Sequence, residues 1–180
     1  MKKILVIEDI ESVRETITNI LELEGFAVKN ARDGIIGLEL IKEFFPDLII
    51  CDIMMPGING YDVLSKLKEN NITASIPFII TTIKSDRDTI RQGMSRGADD
   101  YITKPFSSNE LIDAVYSQLK KQERLNKIYN SKFENITKER LENLLSTGPS
   151  IIYSLNYSKN NEFTYISKNI NSFFFKWELF

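Results

Sequence analysis

The stretch DLIICDIMMPGINGYD, residues 47–62, puts a single carboxylate, Asp52, at the end of an apolar run and then breaks into Pro56, Gly57 and Gly60. An aspartate at the edge of a core loses hydration and needs a partner. The run 47–51 is β-branched and too short for a helix, so it reads as a buried strand with Asp52 at its carboxyl end. The proline and glycines shape a turn in which the backbone comes close to whatever Asp52 binds.

Working outward, four further segments have the same character: KILVIE (3–8), AVKNA (27–31), PFIIT (77–81) and DYIT (100–103). Between them, 10–24, 34–45, 61–69, 86–96 and 109–121 carry apolar residues at helical spacing, and Gly25 and Gly97 stand where helices stop. Strand and helix thus alternate. Continuously apolar strands imply burial on both faces, so the solution is an α/β fold, a doubly wound five-stranded parallel sheet with right-handed crossovers. Ligands in such sheets bind at the carboxyl ends of the strands.

The chain has 180 residues, a net charge of −2, one cysteine and no histidine. That length allows one full domain and a smaller appendage. The charge makes no case for a nucleic-acid or membrane partner. The lone Cys51 excludes an internal disulfide, and without histidine neither a usual zinc site nor a phosphohistidine donor can be built. Any metal should therefore be oxygen-bound. Glu8 and Asp9 cut the N-terminal apolar run short, and no uncharged stretch approaches ~18 residues, so a cytoplasmic protein is expected.

The strand ends carry the chemistry. Glu8 and Asp9 follow the first strand, Asp52 the third, and Lys104 with Pro105 the fifth, so the acids and one ammonium converge on one rim. Carboxylates so close repel, and Mg²⁺ is a natural neutraliser. Plainer readings exist: Glu8 and Asp9 as an N-cap cluster, Lys104 as a surface lysine, Tyr101 as a packed aromatic, and Thr81 rather than Thr82 as a hydroxyl donor.

With VIED, DLIICDIMMPGINGYD, IPFIITT and GADDYITKPF in place, residues 2–121 resemble the receiver domain of bacterial two-component response regulators. The gaps of 43 (Asp9 to Asp52), 30 (Asp52 to Thr82) and 22 (Thr82 to Lys104) are similar to those of the family. The resemblance implies a flavodoxin-like sheet of order 2-1-3-4-5 and a phosphorylation-dependent signalling switch rather than an enzyme. It implies Asp52 as the phosphoacceptor for a histidine kinase or a small phosphodonor. Glu8, Asp9, Asp52 and the backbone carbonyl of Met54 would hold Mg²⁺, with Glu8 acting through water. Lys104 and Thr82 would contact the phosphoryl oxygens, a cis bond would precede Pro105, and Tyr101 would swing inward as Thr82 moves. The output would be a downstream effector or a homodimer contacting the face of the fourth helix, fifth strand and fifth helix.

One position departs from the family: Ile83 follows Thr82 where a small residue is usual, so attacking water should have restricted access and the phosphate should turn over slowly. A Mg²⁺-dependent phosphohydrolase using Asp52 would want a second acid two residues on, and that residue is Met54. A flavin or nucleotide binder would want glycines after the first strand, where the chain has EDIES.

Past residue 121 the composition changes: 11 of 19 aromatics lie in 129–180, and seven of eight glycines precede residue 98. Residues 122–140 read as a helical linker with a broken apolar spacing. Residues 141–180 resemble the start of a PAS sensor domain: a short helix, a Gly-Pro break, a strand in IIYSL, and FTYIS leading into a helix. A PAS fold needs roughly a hundred residues, so this α+β tail is expected to be incomplete, with Phe173, Phe174, Phe175, Trp177, Leu179 and Phe180 in an exposed apolar end. The alternative reading is a receiver module of a longer sensor or output protein, PAS plus cyclase or kinase.

Overall fold

The computed structural model describes residues 1–83, 91, 93–147, 153–156 and 162–166. Among them the chain runs β1 (Lys3–Ile7), α1 (Glu11–Leu23), β2 (Ala27–Ala31), α2 (Gly34–Phe44), β3 (Leu48–Asp52), α3 (Gly60–Glu69), β4 (Phe78–Thr82) and β5 (Asp100–Thr103). A long helix, here α4 (Ser108–Thr147), and two short strands, β6 (Tyr153–Asn156) and β7 (Glu162–Ile166), follow. Strands β1–β5 form one parallel sheet of order β2-β1-β3-β4-β5, the doubly wound, flavodoxin-like arrangement expected.

Alternation of side chains across the strands divides the core into two layers. Ile4, Val6, Leu48, Ile50, Ile79 and Ile102 pack with Ile17 and Leu21 of α1 and with Leu111, Val115 and Leu119 of α4. Leu5, Ile7, Ile49, Cys51, Phe78 and Ile80 pack on the other face with Ile41 of α2 and with Val63, Leu64 and Leu67 of α3. Both faces of β3 and β4 are buried, which is why their sequences show no polar alternation.

Helix ends follow local chemistry. Gly25 takes φ +84° after α1, where the Phe26 amide donates to the Leu21 carbonyl at 3.1 Å. Asp33 caps α2 by accepting from the Ile36 amide at 2.8 Å. Asn59 and Asp62 form a reciprocal capping box at the start of α3. Residues 93–95 of the fourth predicted helix are helical and Gly97 (φ +92°) follows them, whereas 84–90 and 92 lie outside the described residues.

The fifth predicted helix (109–121), the predicted linker (122–140) and the predicted short helix opening the tail are one continuous helix, α4. The reason is local: Ser108–Thr147 contains neither glycine nor proline, so nothing interrupts the hydrogen-bond ladder before Gly148 and Pro149. The chain divides into two compact units, Met1–Arg124 and Leu125–Phe180. In the second, β6 and β7 pair antiparallel with a register shift between Ser154 and Leu155. The helix expected after FTYIS and the aromatic end 173–180 lie outside the described residues. Among the described residues no helix is long and apolar enough to cross a membrane.

Gly60 shows how tightly the turn after β3 is held. A Cβ there would collide with the backbone carbonyl of Asp52, whereas one at Gly37 would meet the flexible end of Ile7. Gly60→Ala is therefore expected to lower stability by about 2–3 kcal/mol. Gly37→Ala should cost less, because its nearest contact is the Cδ1 end of a side chain rather than backbone and alanine gains about 1 kcal/mol of helix propensity. Urea denaturation of the two variants measures this; equal midpoints would contradict the close approach at Gly60.

Candidate functional site

Parallel pairing sets the residues that end β1, β3 and β5 on one rim. The Ile7–Cys51 and Asp52–Thr81 registers place Glu8 beside Asp52, and the Lys104 amide extends the β5 ladder by donating to the Thr82 carbonyl at 2.7 Å. The Lys104 ammonium donates to Glu8 Oε2 at 2.6 Å and to Asp52 Oδ1 at 3.0 Å. Asp52 Oδ2 accepts from the Met54 amide at 3.1 Å. Asp52 thus has its partners, one of them supplied by a lysine 52 positions away.

The three side chains are nearly dry: 1% exposed for Glu8, 6% for Asp52 and 13% for Lys104. Burial pushes the Glu8 carboxyl above its ordinary range, against the pull of Lys104. Burial alone would lower the Lys104 ammonium, but its bonds to Glu8 and Asp52 outweigh that and hold it above the usual lysine value. The buried Cys51 thiol, whose S–H donates to the Asp52 carbonyl at 3.2 Å, is raised well above its ordinary value and stays protonated.

Glu8, Asp9 and Asp52 each offer a carboxylate oxygen within 4.8 Å of the others. The N-cap alternative for the first two does not hold, since α1 is capped by Ile10 and no side chain bonds to its first amides. Glu8 Oε1 is buried with no hydrogen-bond partner. An all-oxygen set with an unsatisfied acceptor fits a hard divalent cation such as Mg²⁺.

Thr81 and Thr82 are both buried, on opposite faces of β4. Thr82 lines a small crevice with Ile53, Ile80, Met94 and Tyr101, and Tyr101 is 36% exposed. The peptide bond before Pro105 is cis, as expected. Ile83 is 68% exposed and lines a cleft of about 420 Å³ with Val13, Ile17, Lys104 and Phe106. The sequence reading missed Arg14, whose guanidinium donates to the carbonyls of Glu8 (2.8 Å) and Asp9 (3.2 Å) and fixes the loop carrying both acids. The i, i+5 and i, i+6 offsets give no motif; only the turn between β1 and α1 aims Arg14 backward.

A doubly wound parallel sheet with a lysine-bridged carboxylate rim at its carboxyl end defines the class of receiver folds. Residues 4–116 match the response regulator receiver domain family, and the chain belongs to that family, the receiver domains of two-component response regulators. It is 36% identical over 125 residues to the DNA-binding dual master transcriptional regulator RpaA of Synechocystis sp., covering 69% of this chain and 52% of that protein. It is 37% identical over 122 residues to the DNA-binding response regulator MtrA of Mycobacterium tuberculosis, covering 68% and 52%. The chain spans about half the length of the curated relatives it matches. Among solved structures, the receiver domain of a Francisella response regulator superposes with a TM-score of 0.63 at 35% identity, over 67% of this chain and 98% of that one.

Because Glu8 has a raised folded-state pKa, its contribution to stability is fully present below 4.5 and lost as pH rises through the folded value. In metal-free buffer, Glu8→Gln should therefore gain stability relative to wild type as pH rises from below 4.5 to neutrality. Denaturation midpoints of the two proteins across that range check the sign; a constant difference would mean Glu8 is not held by burial.

Proposed function

We propose that this chain is a phosphorylation-dependent signalling switch in a two-component phosphorelay, with Asp52 as the phosphoacceptor. The observation that carries the reading is the Lys104 ammonium, within hydrogen-bond distance of both Glu8 and Asp52 at the carboxyl rim. A carboxylate oxygen of Asp52 attacks the phosphorus of a histidine kinase's phosphohistidine. The new O–P bond replaces the P–N bond, and the imidazole nitrogen leaves with the bonding pair. Glu8, Asp9, Asp52 and the Met54 carbonyl would hold Mg²⁺, which when bound neutralises the carboxylates and the incoming phosphoryl charge.

This chain's own residues do the rest. Lys104, already on Asp52, meets the phosphoryl oxygens as a point charge. Thr82 donates its hydroxyl to another of them. Its movement frees space in the crevice it shares with Tyr101, so the exposed ring turns inward and the surface around β5 changes. That surface, with the fourth predicted helix and the first turns of α4, would contact a downstream effector or a second copy. The DNA binding in the relatives' names belongs to those proteins, and the net charge of −2 here favours a protein partner.

The domains are read as a receiver at 1–121, a helical linker at 122–140 and a PAS-like segment at 141–180. A hydrolase reading is disfavoured because Met54 occupies the position of the second acid.

Incubation with Mg²⁺ and acetyl phosphate, followed by intact mass, tests the reading. A single phosphoryl adduct is expected on wild type and none on Asp52→Asn; an adduct that persists in Asp52→Asn, or sustained phosphate release at catalytic rates, would overturn it. Ile83→Ala should shorten the adduct's half-life by opening the cleft to water, and an unchanged half-life would remove Ile83 from the account.

A further inference from the structure

Among the described residues three side-chain atoms are buried without a hydrogen-bond partner: Glu8 Oε1, Thr81 Oγ1 and Gln118 Oε1. Gln118 belongs to the other end of the sheet, where its amide donates to Asp100 at the start of β5. The other two flank Asp52. Thr81 is the register partner of Asp52 on β4, and Glu8 follows Ile7, the partner of Cys51, on β1. The three residues stand side by side on adjacent strands.

They also share a face. Glu8 continues the side of Ile4 and Val6, Asp52 that of Leu48 and Ile50, Thr81 that of Ile79, and Lys104 that of Ile102, all in one core layer. Thr82 turns to the opposite side with Tyr101. The hydroxyl on the same face as the nucleophile is therefore that of Thr81. Packing alone would favour valine, which has the same shape and no polar atom to desolvate. A fully buried threonine with an idle hydroxyl beside a reactive carboxylate calls for a use in another state.

We propose that Thr81 is a positioning residue of the phosphorylated state, donating its hydroxyl to the Asp52 carboxyl group after Lys104 shifts to the phosphoryl oxygens. The inference rests on the reading of Asp52 as phosphoacceptor. Before transfer Asp52 Oδ1 accepts from Lys104 and Oδ2 from the Met54 amide, and the Thr81 hydroxyl makes no hydrogen bond. Transfer makes one of these oxygens the bridge to phosphorus and leaves the other as a carbonyl, while the negative charge moves outward onto the phosphoryl group. The ammonium follows the charge. The Asp52 oxygen it leaves has lost its donor, and the Thr81 hydroxyl lies in register to replace it. So held, the acyl phosphate is fixed in one orientation and its loss to water is slowed.

The full chain is phosphorylated with acetyl phosphate and Mg²⁺, the donor is removed, and intact mass follows the adduct in wild type, Thr81→Val and Thr81→Ser, with Asp52→Asn as control. Thr81→Val should lose its phosphate roughly three- to tenfold faster, as for one lost hydrogen bond, while its urea midpoint rises because an unsatisfied hydroxyl is gone. Thr81→Ser should keep the wild-type lifetime. If Thr81→Val does not fold, Thr81→Ala supplies the comparison with serine. A hydroxyl-free variant with the wild-type lifetime would overturn the proposal, as would a serine variant that decays as fast as valine. Absence of an adduct on wild type would instead defeat the phosphoacceptor reading.

Discussion

A buried ammonium shared by two buried carboxylates organises this molecule. Three carboxyl groups, Glu8, Asp9 and Asp52, face one ammonium, Lys104, and Glu8, Asp52 and Lys104 are nearly dry. Removing such groups from solvent is costly, and Lys104 offsets part of the cost through contacts of 2.6 and 3.0 Å. The remainder is stored as a site that favours further positive charge. That imbalance makes the rim suited to a hard cation.

The scaffold is built to keep this rim still. Asp52 is the last residue of a strand buried on both sides, so its backbone cannot shift without disturbing both core layers. The turn that follows is closed by the Gly60 amide on the Ile53 carbonyl at 3.1 Å, with the Asn59–Asp62 capping box starting α3 one residue away. On the other side Arg14 ties the Glu8 and Asp9 carbonyls to the first turn of α1. Rigid elements thus hold the charged groups.

The sheet also sets the two successive threonines of β4 on different faces. Glu8, Asp52, Lys104 and Thr81 share the face covered by α1 and α4, while Thr82 and Tyr101 share a crevice on the other. Two threonines in succession on one strand thereby point to different compartments, one toward the acids and one toward the surface that would meet a partner.

The strands and most helices were legible because burial on both faces removes polar residues from the strands, and because Gly25 and Gly97 mark helix ends chemically. The acids and the lysine at the strand ends could be read for the same reason, since a charge that closes an apolar run loses hydration unless a ligand or an opposite charge meets it there. Strand ends fell one residue off at β1, β3 and β4, because ladder pairing rather than side-chain type ends a strand. The helix read at 109–121 and the helical linker after it are one helix, because composition changes at residue 121 while backbone hydrogen bonding does not. Arg14's grip on two carbonyls, the orphaned Thr81 hydroxyl, and which face each threonine occupies lay beyond the sequence. They depend on register and loop path, and these are set by how separate elements pack in space, not by the order of residues along any one of them.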